Sequence, residues 1–209
     1  MTRVRRRESA ATFMAAPILA TIASAIVGCG PPRVTAHSEV RTSNTTGGKT
    51  MAITITSGAF QAGQPIPKLY TGDGKDLSPP LAWTGVPTGA KELALICDDP
   101  DAPTKEPWVH WVIYKIPTET KSFEEGIPRK ARVANPAGAF QGANSFESDN
   151  IGYRGPAPPK GHGVHHYHFK VYAIDKPLDL EPLLDKKSLL AAIDGHILAQ
   201  GEIVGTYER

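Results

Sequence analysis

Two stretches of the chain concentrate side chains that can do chemistry. The first is Cys97-Asp98-Asp99-Pro100-Asp101-Ala102-Pro103, running on to Trp108-Val109-His110-Trp111; the second is Gly152-Tyr153-Arg154-Gly155-Pro156-Ala157-Pro158-Pro159-Lys160-Gly161-His162-Gly163-Val164-His165-His166-Tyr167. Each joins a stiff Pro/Gly loop to a strand-like run. Strand side chains alternate between faces, so Trp108, His110, Val112 and Tyr114 are expected on one side of the first run, and His165, Tyr167, Phe169 and Val171 on one side of the second. Where those sides meet, two imidazoles, a phenol and the Asp99 carboxylate converge. Imidazole and phenol can donate to an anion. Asp99 either favours the charged form of a neighbouring histidine or accepts the ammonium of a zwitterion. The set suits capture of a small anion or a zwitterionic head group better than it suits bond cleavage. Asp-Pro and Asp-Ala-Pro are also turn formers, a role open to Asp99 and the stronger reading for Asp101.

The elements that must position these groups are mostly β. Strands are expected at Ala52 to Thr56, Glu92 to Asp98, Trp108 to Ile116, Tyr167 to Asp175 and Glu202 to Tyr207, separated by turns such as Ser78-Pro79-Pro80 and Gly85-Val86-Pro87. One helix is expected from about Lys187 to Ala199, capped by Asp185, with Leu189, Ile193 and Ile197 on one face. The 19 prolines stiffen many loops, as a preformed site requires. Glu106-Pro107 is a candidate cis bond ahead of the second long strand.

The first 28 residues read as an export signal: Arg3, Arg5, Arg6 and Arg7 precede an apolar stretch from Ala10 to Val27 that ends at Gly28-Cys29. This pattern is similar to a bacterial lipoprotein signal, which implies cleavage before Cys29 and lipid attachment to its sulfur. Residues 29 to 50 are polar and Gly/Pro-rich, a flexible tether, and the folded domain is expected over 51 to 209. The expected location is therefore an exported, membrane-anchored one; translation from Met51 is the cytoplasmic alternative. The signal holds four Arg and one Glu, so its removal takes the formal charge from +2 to −1. No basic patch remains for nucleic acid. With Cys29 assigned to lipid, Cys97 is left alone in an apolar run and reads as a small buried hydrophobe.

Several separated motifs in one order closely resemble the phosphatidylethanolamine-binding protein family, in its bacterial Raf kinase inhibitor-like branch. They are Asp73-Gly74, Leu77-Ser78-Pro79-Pro80-Leu81-Ala82-Trp83, Asp99-Pro100-Asp101-Ala102-Pro103, Trp108-Val109-His110-Trp111, and Pro158-Pro159-Lys160-Gly161 followed by His165-His166-Tyr167. The resemblance covers about Met51 to Arg209. It implies antiparallel sheets with few helices, one near the C-terminus, and an anion pocket at one end. Pocket positions carried over are Asp99, His110, Ala157, Pro159, His165 and Tyr167; Trp108 and Trp111 read first as core, while Trp108, which shares the His110 face, and Pro103 are candidates for the pocket wall. Backbone N–H groups of the Ala157 to Gly163 loop add donors. The family's arginine between the pocket histidine and tyrosine is His166 here, and cysteines frequent in bacterial relatives are replaced by Gly72 and Ala157.

The expected function is noncatalytic binding of phosphate or phosphoethanolamine-type head groups or phosphorylated ligands, without cofactor or metal, with a protein partner as a further option. Two alternatives compete. A hydrolase would use the histidines and Asp99 on a metal or water, but alternation separates His165 from His166 and His168, and neither a His-Glu-x-x-His nor a Gly-x-Ser-x-Gly motif is present. A protease or kinase inhibitor would act through a surface loop such as Thr104-Lys105-Glu106. His162 and His168 are left without a role.

Overall fold

The computed structural model describes residues 51–147 and 150–209. The export signal and the Cys29 tether lie outside the described residues.

The run Glu92-Leu-Ala-Leu-Ile-Cys-Asp-Asp is apolar on both alternating faces, as a strand buried on both sides must be. It sits in the middle of a six-stranded sheet. In chain order the strands are β1 (Met51–Ala52), β2 (Thr54–Ser57), β3 (Leu81–Thr84), β4 (Glu92–Asp99), β5 (Trp108–Pro117), β6 (Ser122–Phe123), β7 (Phe140–Gln141), β8 (His165–Ile174) and β9 (Ile197–Tyr207). The large sheet has the order β1-β9-β8-β4-β5-β7, and a three-stranded sheet has the order β2-β3-β6. All pairs are antiparallel except β1 with β9.

One face of β4 sends Leu93, Leu95 and Cys97 into a core shared with Trp111, Phe169 and the small sheet's Ile55, Trp83 and Phe123. The other sends Ala94 and Ile96 against Val112, Tyr114, Ile174 and the helix residues Leu189 and Ile193. Three layers result, and each fully buried Leu or Ile contributes about 1.5–3 kcal/mol. Cys97 is buried as expected, and burial, with smaller effects from Asp98 and Asp99, pushes its thiol well above the ordinary range.

The expected strand over Ala52 to Thr56 is in fact two. The chain crosses between sheets at Ile53, whose N–H donates to the Gln200 carbonyl at 2.9 Å. Gly201 permits that crossing, because a Cβ there would lie 1.8 Å from the Ile53 carbonyl oxygen. The helix α1 spans Lys186–Ile193, with the Ser188 N–H donating to the Asp185 cap at 2.7 Å. It stops short of the expected Ala199: Gly195, at φ +73°, turns the chain, and Ile197 to Ala199 open β9. The spacing of Ile197 from Ile193 suited a helix, but its place is in the sheet. The cis peptide falls at Asn135-Pro136 and not at Glu106-Pro107.

Candidate functional site

Antiparallel pairing brings the C-terminal end of β4 between the N-terminal ends of β5 and β8, which places Asp99, Trp108, His110, His165 and Tyr167 at one end of the sheet. They line a cleft of about 190 Å³ with Ala102, Pro103, Thr104, Phe146, Ala157, Pro158 and Pro159. Every pocket position expected from the sequence is in that lining. The volume corresponds to about six waters, enough for a phosphoryl group and a short substituent.

The alternation expected along the Trp108 run is broken by two register shifts against β4, one between Leu93 and Leu95 and one between Cys97 and Asp98, and the second shapes the cleft. Cys97 pairs with Trp111 but Asp98 pairs with Val109, so β5 carries an extra residue, His110, at a bulge. Trp108 and His110 face the cleft, while Val112 and Tyr114 join the opposite core beside α1. A bulge re-aims a side chain without interrupting the strand, and here it lets both His110 and Trp111 point to the same side as Tyr167. The His165 run has no such irregularity. His165, Tyr167, Phe169 and Val171 share one face.

The polar groups of the cleft are tightly arranged. Asp99 Oδ2 lies 2.7 Å from His165 Nδ1, and Asp99 Oδ1 accepts the Asp101 N–H at 2.9 Å. Asp99 thus combines the turn role with an imidazole partner. His165 Nε2 lies 2.8 Å from His162 Nδ1. Donation from His162 Nδ1–H to His165 Nε2 and from His165 Nδ1–H to Asp99 satisfies this chain. His110 Nδ1 sits 2.6 Å from the Arg154 carbonyl. Its ring stands edge-on to Tyr167, with centroids 5.1 Å apart, and to Phe146 at 5.5 Å. Burial pulls the His110 pKa below the ordinary imidazole value, against smaller opposing effects from the Arg154 carbonyl, Asp99, Asp76 and Asp98. The ring is therefore neutral near pH 7.

Tyr167 is the anomaly. Its hydroxyl is buried and has no hydrogen-bond partner, the only such side-chain atom among the described residues. Burial, and secondarily the Asp99 charge, pushes its pKa up, so it remains a phenol and a donor. An orphaned buried hydroxyl costs about 1–3 kcal/mol.

The far wall is fixed by groups outside the cleft. Asp76 accepts the Gly155 N–H at 2.6 Å and binds Arg154 Nε at 3.1 Å, and the Arg154 N–H donates to the His110 carbonyl at 2.9 Å. Gly72 N–H holds the Pro156 carbonyl at 2.8 Å, and a Cβ on Gly72 would lie 3.0 Å from that of Ala157. Gly72 and Ala157, where the resemblance leads one to look for cysteines, are thus neighbours without thiols. Arg209 pairs with Asp73 at 2.6 Å and reaches the Ala157 and Pro158 carbonyls.

With this geometry in place, comparison with known proteins is decisive. The sequence profile of the phosphatidylethanolamine-binding protein family matches residues 56–208. The chain belongs to that family. Within it, a UPF0098 protein of Methanothermobacter thermautotrophicus is 50% identical over 151 residues, covering 72% of this chain and 95% of the relative. Among solved structures, a phosphatidylethanolamine-binding protein homolog from Chlamydia trachomatis is 41% identical, with a TM-score of 0.66, covering 76% of this chain and 98% of that one. Escherichia coli YbcL, described as a member of the mammalian family, is 31% identical, with a TM-score of 0.69, covering 77% and 99%. The mostly β architecture, with two sheets and a helix near the C-terminus, matches these neighbours.

In this member of the phosphatidylethanolamine-binding protein family, His166 stands where the resemblance implies an arginine. Its ring points away from the cleft, and Asp101 Oδ2 lies 2.7 Å from its Nδ1 and 2.8 Å from its backbone N–H. Burial raises the Asp101 pKa, but these bonds outweigh it and hold the carboxyl below its usual range. His168 likewise faces Glu202, at 2.5 Å, on the outer surface. Sequence reasoning missed Phe146 and gave His162 no part. The signal for His162 was its place three residues before His165 in a Gly-rich loop; for Phe146 there was none. A roomier groove of about 580 Å³ lies between Pro107, Val109, Ser145 and the start of α1, but it contains no buried unpartnered side chain among the described residues.

Proposed function

We propose that the cleft is a noncatalytic binding site for phosphate, phosphoethanolamine-type head groups or phosphorylated ligands. The observation that carries this reading is the orphaned Tyr167 hydroxyl, a donor held buried beside two imidazoles and a carboxylate. Folding tolerates such a group where a ligand completes it. Asp99 orients His165 and adds a buried carboxylate to the cleft lining that attracts an ammonium. The stiff Pro/Gly wall keeps the cleft formed before binding, which reduces the ordering cost of capture.

The sequence supports a lipid-anchored, exported location through Cys29, with no nucleic-acid partner and no cofactor. Anchoring would bring membrane head groups within reach, and any protein partner would meet the same end of the sheet. The hydrolase reading has less support, because His165 Nε2 is already bonded to His162 and no hydroxyl nucleophile sits within hydrogen-bond distance of either cleft imidazole among the described residues.

Calorimetric titration with phosphoethanolamine and inorganic phosphate, beside His110→Ala and His165→Ala, tests the reading. Saturable binding weakened in both variants is expected. Folded protein that binds neither compound refutes it.

A further inference from the structure

Resting on the phosphoryl reading, the donor and acceptor pattern of the cleft carries a rule about which phosphoryl groups it takes. The Arg154 carbonyl can only accept, so His110 Nδ1 carries the proton. The ring is 3% exposed, and its burial keeps it neutral. Its Nε2 is therefore a lone-pair acceptor. His165 has its Nδ1 on Asp99 and its Nε2 on His162. Of the three side chains expected to donate, Tyr167 alone holds an unused donor hydrogen.

A sulfate or a fully ionised phosphoryl dianion brings acceptors only. Among the side chains it gains a hydrogen bond only from Tyr167, and it sets lone pair against lone pair at His110, in a buried site where that repulsion is poorly screened. A monoester with one ionised oxygen and one P–OH brings both partners. We infer that the cleft selects phosphomonoesters in their singly protonated, monoanionic form, with His110 Nε2 accepting from P–OH and Tyr167 O–H donating to P–O⁻. The titratable and charged groups around His110 are consistent with this: Asp99 and Asp98 on β4, His165 and Tyr167 on β8, and Asp76 and Arg154 from the wall. The nearby carboxylates favour a ligand of lower charge.

The test is titration of the full chain at pH 6 and matched ionic strength with inorganic phosphate, phosphoethanolamine and sulfate. Both phosphates are expected to bind at least about tenfold more tightly than sulfate. Phosphoethanolamine affinity should fall about tenfold or more between pH 5.5 and 7.5, because the second ionisation of a phosphomonoester lies near pH 6. His110→Gln, whose carboxamide can turn an N–H to the ligand, should narrow the gap by gaining sulfate; the wild-type comparison stands without it. Retention on vesicles containing phosphatidic acid but not on phosphatidylcholine vesicles would assign the monoester to a membrane, and binding of free phosphoethanolamine alone would assign it to a soluble compound. Sulfate binding as tightly as phosphate, or both strengthening equally as pH falls, overturns proton selection while leaving anion capture intact. Folded protein that binds none of the three overturns the phosphoryl reading itself.

Discussion

Asp98 and Asp99 are consecutive at the end of β4 and face opposite sides of one sheet, and their surroundings are built on different principles. Asp98, 2% exposed, is met by Lys170 at 3.1 Å and by Lys186 at the start of α1. Its charge is compensated, and it ties the helix to the sheet. Asp99, 3% exposed, meets an imidazole and a turn N–H and lines a cleft in which the buried Tyr167 hydroxyl is unsatisfied. One side is closed on itself as structure. The other is left incomplete, which is how a folded protein makes room for a ligand.

The largest expected effect falls on the closed side. Asp98→Asn leaves two lysines without their carboxylate and should cost about 2 kcal/mol in denaturant unfolding; the lysines' partial exposure keeps this below the ~3–5 kcal/mol of a fully buried pair. Phosphoethanolamine affinity should not change. Asp99→Asn reverses the pattern: affinity falls about tenfold, equivalent to about 1.4 kcal/mol, with a smaller loss of stability than Asp98→Asn. Equal behaviour of the two variants in both assays would erase the distinction.

A smaller effect concerns pH. His110 has its folded pKa below the ordinary value, so as pH falls through about 6.5 the unfolded chain takes up a proton that the native state refuses. Stability from this group is thus present above that pH and declines below it, by at most about 1.4 kcal/mol per pH unit, until the native ring also titrates. Thermal melts of wild type and His110→Asn between pH 7 and 5.5 should show a shallower slope in the variant.

Much of this arrangement was legible in the residues. The long runs of β4 and β5 announce themselves because both of their faces are apolar, that of β8 because its first half alternates, and the motif loops at their ends marked the cleft lining. What escaped is physically specific. β3 is four residues long and follows a Pro-Pro turn, too short for a period to register. Ile197 satisfied helical spacing while Gly195 had already ended the helix. The His110 bulge depends on the pairing register between two strands, which no single strand's pattern encodes. The orphaned state of Tyr167 depends on where every neighbouring donor and acceptor goes, and so becomes visible only in the folded chain.

The most direct measurement is Tyr167→Phe, read in two assays on the same preparation. If the hydroxyl is held for a ligand, the variant gains about 1 kcal/mol of stability by losing an unpaired buried donor, and binds phosphoethanolamine about tenfold more weakly. A variant that loses stability while keeping full affinity would show that the hydroxyl serves the fold, and would contradict the account of the cleft as a site left open for a phosphoryl group.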